Sequence, residues 1–102
     1  MTIPRIELPP RQLGEFCRRW KVTEFAVYGS ALREDFRAHS DIDVLVSFAP
    51  QAGWSLFDLV EMQDELEQIF GREVDLVERD SLQNPFRRRA ILENMQVIYA
   101  AP

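Results

Sequence analysis

The segment Tyr28-Gly29-Ser30, followed after ten residues by Asp41-Ile42-Asp43, decides the fold of this chain. Residues 24–28 are typical of a strand, the glycine relaxes the backbone, and the serine opens a short helix. Free amide groups at a helix N-terminus bind phosphate oxygens, and a residue without a side chain lets a phosphate approach closely. The first half of the segment therefore predicts a phosphate-binding turn.

Two aspartates stand at the start of the next predicted strand, Ile42–Phe48. Positions two apart on a strand share a face, so Asp41 and Asp43 point the same way, about 7 Å apart along the backbone. One interpretation is a turn aspartate followed by a surface aspartate. The rest of the strand is largely apolar, however, and neighbouring carboxylates repel unless cations neutralise them. Oxygen ligands at this spacing suit hard divalent cations, so the whole segment indicates nucleotidyl transfer.

A third carboxylate lies on the predicted short strand Arg72–Glu78. Asp75 is flanked by apolar residues, so it is not merely the solvated end of a strand. If this strand lies beside the preceding one, Asp75 projects toward the aspartate pair. There it would accept the proton of an attacking hydroxyl or help to hold a metal. Glu73 and Glu78, at the two ends of the strand, are the rival candidates.

These residues resemble the signature of the polymerase-beta-like nucleotidyltransferase superfamily, in its minimal nucleotidyltransferase branch. The similarity is densest over residues 28–46 and 57–66 and covers about residues 10–100. It implies an α/β (α+β) fold with a single small mixed sheet covered by helices. The expected domain is residues 10–102. Residues 1–9, which contain two prolines, Pro4 and Pro9, are expected to form a flexible N-terminal arm or a partner contact.

The resemblance implies a role for each matching residue. Asp41, Asp43 and Asp75 would be catalytic and would hold two Mg²⁺ ions, and Gly29 and Ser30 would hold the triphosphate of ATP. Arg33, one turn into the short helix, is placed to reach phosphate oxygens, although it could equally pair with Glu34 or Asp35. Ser40 is a further candidate nucleotide-binding residue, but it suits a local hydrogen bond that fixes the loop better than a substrate contact.

Some members of this branch are antitoxins. They pair with a HEPN-domain RNase toxin and inactivate it by transferring AMP from ATP to a tyrosine hydroxyl. The resemblance implies the same adenylyltransferase activity here, in a hetero-oligomer with a toxin. Two alternatives stay open: a binding module that blocks the toxin sterically, and a nucleotidyltransferase for a small molecule such as an aminoglycoside. A chain of 102 residues has little room for a separate acceptor-binding domain, which favours an acceptor on a partner protein.

Composition sets limits on partners and location. The net charge of −5 argues against general binding to nucleic acid, because the phosphate backbone favours basic surfaces. The N-terminal residues are too polar for a signal peptide, and no apolar run is long enough to span a membrane. A single cysteine, Cys17, excludes an internal disulfide. A cytoplasmic location is therefore expected, and it would supply ATP and magnesium.

Two helices are predicted in the second half of the chain. Ser55 caps a long helix that ends before Gly71, and its apolar stripe is expected to be Leu56, Leu59, Val60, Leu66 and Phe70. Phe57 is expected in the core and Trp54 partly exposed. Asn84 and Pro85 begin the last helix, whose first turn holds Arg87-Arg88-Arg89. Cations there oppose the helix dipole, so these arginines either pair with nearby carboxylates or contact an acidic partner or the nucleotide.

Overall fold

The computed structural model describes residues 2–3, 6–7, 9–29 and 41–101. Three helices and six strands occur in this part of the chain: β1 (Thr2–Ile3), β2 (Ile6–Glu7), α1 (Pro10–Arg19), β3 (Val22–Tyr28), β4 (Ile42–Phe48), α2 (Leu56–Phe70), β5 (Val74–Glu78), α3 (Pro85–Asn94) and β6 (Gln96–Ala100). A 3₁₀ turn, Arg79–Ser81, joins β5 to the loop before α3. The predicted sites Ser30, Arg33 and Ser40 lie outside the described residues.

Four strands form one mixed sheet in the order β5-β4-β3-β6. β3 is antiparallel to both β4 and β6, whereas β4 and β5 run parallel. A parallel pair needs a long crossover connection, and α2 supplies it. β1 and β2 pair separately as a two-stranded antiparallel unit. The predicted α/β fold, with a small mixed sheet covered by helices, is confirmed.

The crossover helix α2 begins and ends where its sequence signals predict. The Ser55 Oγ accepts a hydrogen bond from the backbone N–H of Asp58, and the Asp58 carboxylate accepts one from the Ser55 N–H at 2.8 Å. This reciprocal capping box satisfies donors that the first helical turn leaves without partners. At the other end, Gly71 adopts the left-handed conformation with φ 71° and stops the helix.

The buried face of α2 differs from the predicted stripe. It recurs every three or four residues through Leu59, Met62 and Leu66 and ends in the adjacent pair Ile69 and Phe70. Leu56 and Val60 are exposed instead, and Phe57 is 87 % exposed, so its expected core position was wrong. The reason is rotational: at about 100° per residue, positions 56 and 60 point well away from the face centred on Leu66. The partial exposure expected for Trp54 is confirmed.

Alternate residues of the sheet face two different cores. On one face, α1 and α2 cover side chains of β3, β4 and β5 around Phe16, Phe25 and Met62. The opposite face packs against α3 through a smaller cluster, namely Ala26, Tyr28, Leu45, Leu82 and Ile91. This second face is the one that carries the predicted carboxylates, because Asp43 is two residues from Leu45 on β4.

Polar side chains of α2 also protect the edge strand β5. The carboxylate of Glu67 accepts a hydrogen bond from the Val74 N–H at 3.0 Å, and the Gln63 side-chain oxygen accepts one from the Leu76 N–H at 3.3 Å. An unpaired strand edge can pair with another chain. These bonds occupy two outward N–H groups of β5 and hold α2 against the strand. No helix within the described ranges is long and apolar enough to cross a membrane.

The capping box gives a prediction for stability. Replacing Ser55 by alanine removes the acceptor for the Asp58 N–H and should lower the free energy of unfolding by about 1 kcal/mol. Urea denaturation of Ser55→Ala, Asp58→Ala and the double variant measures this. Because the two residues act as one reciprocal unit, the double variant should lose less than the sum of the single losses. Strictly additive losses would show that the two bonds are independent.

The buried thiol of Cys17 gives a prediction for reactivity. Burial raises the pKa of Cys17 from 9.0 to about 12, with Arg18 opposing the shift weakly. Since the thiolate is the reactive form, the folded protein should not react with an aromatic disulfide reagent at pH 8, and the urea-unfolded chain should react fully. Cys17 also favours the folded state below pH 9, and this contribution is lost as pH rises toward 12. Rapid labelling of the folded protein would contradict the burial.

Candidate active site

Three side chains stand in one row across the sheet. Tyr28 of β3 is the register partner of Asp43 on β4, and Asp43 is the register partner of Asp75 on β5. Paired residues on neighbouring strands lie about 5 Å apart and share a face. The condition set for Asp75, that its strand lies beside β4, is therefore confirmed, and two carboxylates stand side by side. Their roles in catalysis stay predictions.

The remaining predicted carboxylates lie around this pair. Asp41 is exposed and directly precedes β4, where the Ile42 N–H donates to the Glu73 carbonyl at 2.9 Å. Glu78 pairs in register with Val46, at the far end of β5 from Asp75, so it is not placed beside Asp43. Within the described ranges, no three acidic, histidine or cysteine side chains form a ready-made metal cluster. The structure thus brings together Asp43 and Asp75, with Asp41 two residues before Asp43.

The donor chemistry fits magnesium. Adjacent carboxylates on rigid strands supply hard oxygen ligands, and Mg²⁺ is commonly held by one or two carboxylates together with phosphate oxygens. Asp43 and Asp75 meet this description through their pairing in the sheet. Asp41, predicted as a third oxygen donor, directly precedes the strand and is exposed.

Gly29 is required by two separate features of the backbone and the site. Its φ is +69°, a conformation that residues with side chains rarely adopt. A Cβ at this position would also stand 2.4 Å from the Oδ2 of Asp43. The chain therefore turns directly against the Asp43 carboxylate, and only a residue without a side chain fits there.

The Tyr28 phenol was not predicted as part of the site. Its side chain is only 8 % exposed, and its hydroxyl has no hydrogen-bond partner of standard geometry among the described residues. Burial raises the pKa of Tyr28, and the negative charges of Asp43 and Asp75 raise it further, while the nearby Arg87 guanidinium opposes them. At neutral pH the phenol therefore keeps its proton and can donate it in a hydrogen bond. The alternation of side chains along β3 could have revealed which face of the sheet Tyr28 occupies. Its place directly before Gly29 could have shown that it lies next to the predicted turn.

The three arginines at the start of α3 have different surroundings. Arg88 donates to the Arg79 carbonyl at 3.3 Å, and Arg89 pairs with Glu93 at 2.8 Å. Arg87 approaches the phenol of Tyr28, although no bond of standard geometry forms. Of the two interpretations left open by the sequence, pairing with a nearby carboxylate therefore applies to Arg89. Arg87 lies instead beside the candidate site.

The tight turn at Gly29 gives a prediction with an internal control. Both Gly29→Ala and Gly71→Ala introduce a side chain at φ near +70°, but only the first meets another atom, because nothing lies within 4 Å of a Cβ at position 71. We expect a loss of about 1 kcal/mol for Gly71→Ala and a further loss of roughly 1–3 kcal/mol for Gly29→Ala from the overlap with Asp43. Chemical denaturation measures both. Equal losses would show that the carboxylate moves aside freely.

Comparison with known proteins identifies the family of this chain. The family model described as a nucleotidyltransferase domain matches residues 10–98. A protein adenylyltransferase, MntA, of Thermococcus cleftensis is 34 % identical over 83 residues, which are 81 % of this chain and 82 % of that protein. Its similarity therefore extends over most of both chains.

Two solved structures share the fold. A structure assigned to a minimal nucleotidyltransferase has a TM-score of 0.69 and 30 % identity, and the match covers 85 % of this chain and 88 % of that chain. A complex of a tri-AMPylated HEPN toxin with an MNT antitoxin, from Shewanella oneidensis, has a TM-score of 0.64 and 17 % identity, with coverage of 89 % and 69 %. The second match, at its low identity, shows the fold alone.

The family match, the relative and the geometry agree with one another. The matched residues include Gly29, the Asp43–Asp75 pair and the helix that crosses between β4 and β5. The chain therefore belongs to the nucleotidyltransferase domain family, and is an enzyme of that class.

Proposed function

We propose that this chain is an antitoxin that transfers AMP from ATP to a hydroxyl group of a HEPN-type toxin and so neutralises it. The observation that carries the proposal is the adjacency of Asp43 and Asp75 beside the Gly29 turn. That arrangement unites metal ligands with a phosphate-binding backbone. A relative named as a protein adenylyltransferase, and a structure of an AMPylated toxin bound to an MNT antitoxin, support the choice of reaction and acceptor.

The residues would divide the chemistry as follows. Asp41, Asp43 and Asp75 would hold Mg²⁺, which neutralises charge on the triphosphate and stabilises the departing pyrophosphate. Gly29 and Ser30 would hold the phosphates through backbone amides. Asp75 would also accept the proton of the attacking hydroxyl, proposed to be that of a tyrosine. Arg33 and Ser40 remain candidate contacts to the nucleotide. The reaction would take place in the cytoplasm, where ATP and magnesium are available.

A protein acceptor suits the described surface better than a small molecule does. Leu56, Phe57 and Val60 at the start of α2 are 75 %, 87 % and 54 % exposed. Clustered large apolar side chains on a surface are typical of protein–protein contact sites. A toxin bound there in a hetero-oligomer would cover them. The same surface would serve a binding module that acts sterically, so the two functions must be separated by experiment.

The test is the intact mass of a partner that co-purifies with the chain. The chain would be expressed with its flanking genes as the wild type, as Asp43→Ala and as Asp64→Ala. Asp64 is an exposed acidic residue on α2 and serves as a matched control for lost charge. The partner should be heavier by whole AMP units with the wild type and the control. Asp43→Ala should reduce transfer by more than about 100-fold, since even loss of an outer-shell group at a metal site costs 10–100-fold.

Each alternative has its own result in the same experiment. If the partner stays bound, inactive and unmodified with Asp43→Ala, the chain acts by steric blockade and not by catalysis. Absence of any partner, together with nucleotide transfer to a small hydroxyl compound, would favour the small-molecule enzyme. Transfer that persists in EDTA would contradict the proposed need for Mg²⁺.

A further inference from the structure

The buried hydroxyl of Tyr28 is the starting point of the inference, because it makes no hydrogen bond of standard geometry among the described residues. Its side chain is more than nine-tenths buried, and Arg87, a polar side chain that approaches its hydroxyl, has no proton acceptor to offer. A buried donor without a partner is costly, and native structures keep few such groups. The phenol stands in the same row as Asp43 and Asp75, at the carboxylate site and not in the core beneath α1 and α2. Its position therefore points to a ligand at that site that accepts its hydrogen bond.

A positive charge stands beside this donor. Arg87 approaches the phenol from the first turn of α3, a ten-residue helix. The side-chain oxygen of Asn84 already accepts from the amides of Phe86 and Arg87, so the cap is complete. A cation near a helix N-terminus is unfavourable by itself, whereas an anion bound there is favourable. The arrangement thus suits an anion that interacts with the Arg87 guanidinium and with the helix dipole, since the capped amides have no free donor.

We infer that Tyr28 and Arg87 form a subsite for a phosphate group of the nucleotide, beside the carboxylates proposed to hold the metal. The Tyr28 hydroxyl donates a hydrogen bond to a phosphate oxygen, and the Arg87 guanidinium forms a charge-assisted hydrogen bond to the same group. The inference rests on the proposed function, because it takes the ligand to be a nucleoside triphosphate. It adds two binding residues that lie outside the Gly29-Ser30 and aspartate signature.

Chemistry favours a phosphate over the acceptor as the group in this subsite. An acceptor hydroxyl is neutral and needs a base, which Asp75 provides. A guanidinium instead matches an anionic oxygen, and a phenol that keeps its proton is a donor and not a base. The neighbouring arginines do not compete for the role, because Arg88 donates to a backbone carbonyl and Arg89 pairs with Glu93.

The test is binding of a non-hydrolysable ATP analogue, AMP-PNP, by calorimetry with Mg²⁺ and without any toxin. Arg87→Gln should raise the Kd about tenfold, and Tyr28→Phe about three- to tenfold, as expected for the loss of one hydrogen bond to a charged group. Arg89→Gln removes the same charge from the same helix at an 80 % exposed side chain, and Tyr99→Phe removes a hydroxyl on the other face of the sheet. Both controls should leave the Kd unchanged.

A double variant tests whether the two residues contact one group. If Tyr28 and Arg87 share a phosphate, the loss in Tyr28→Phe/Arg87→Gln should be smaller than the product of the single fold-changes. Independent losses would overturn a shared subsite. A Kd for Arg87→Gln equal to that of Arg89→Gln would overturn the role of Arg87.

Stability measurements without ligand separate binding from folding. Tyr28→Phe keeps the ring and removes only a buried donor without a partner, so the apoprotein should melt at the same temperature or higher. A lower melting temperature with an unchanged Kd would show that the hydroxyl serves the fold. If the wild type itself fails to bind AMP-PNP with Mg²⁺, the proposed function fails, and the inference fails with it. If the wild type binds and both variants match it, only the inference fails.

Discussion

Parallel pairing between β4 and β5 puts Asp75 directly beside Asp43, and most other features of the chain serve that pairing. It requires a crossover, which α2 provides, and the crossover must cover the sheet face that is free of carboxylates. The Ser55–Asp58 capping box and Gly71 set where α2 begins and ends. Glu67 and Gln63 then bind the outer amides of β5, so the strand carrying Asp75 is fixed on both sides. A loose edge strand could not hold two like charges in register.

The two faces of the sheet have separate tasks. The face under α1 and α2 contains the large apolar residues and provides most of the burial that stabilises the fold. The face under α3 has a smaller cluster, and at one end of it apolar side chains give way to Tyr28, Asp43 and Asp75. The carboxylates therefore stand at the margin of the smaller core, on the opposite face from the large apolar cluster. Gly29 completes this end by removing the side chain that would displace Asp43.

Local signals in the sequence predicted much of this structure. The bounds of β4, the caps of α2 and α3, and the alternation that puts Asp43 and Asp75 on one face all depend on neighbouring residues. What the sequence could not decide was long-range. The pairing of β5 with β4 had to be assumed, and the rotation of α2 was misjudged, so that Phe57 was expected in the core and Met62 was left out. Tyr28 was missed for the same reason, because its burial depends on α3, which lies far along the chain.

The three consecutive arginines at the start of α3 do not form one basic patch. Successive residues of α3 turn by about 100° around its axis, so neighbouring side chains leave in different directions. Arg88 reaches back to the 3₁₀ turn, Arg89 reaches forward to Glu93, and Arg87 reaches the carboxylate row at Tyr28. The run therefore separates into one contact to the backbone, one surface ion pair and one charge at the candidate site. Although the chain has a net charge of −5, Arg87 in this way brings a cation to the carboxylate row, where an anionic substrate would bind.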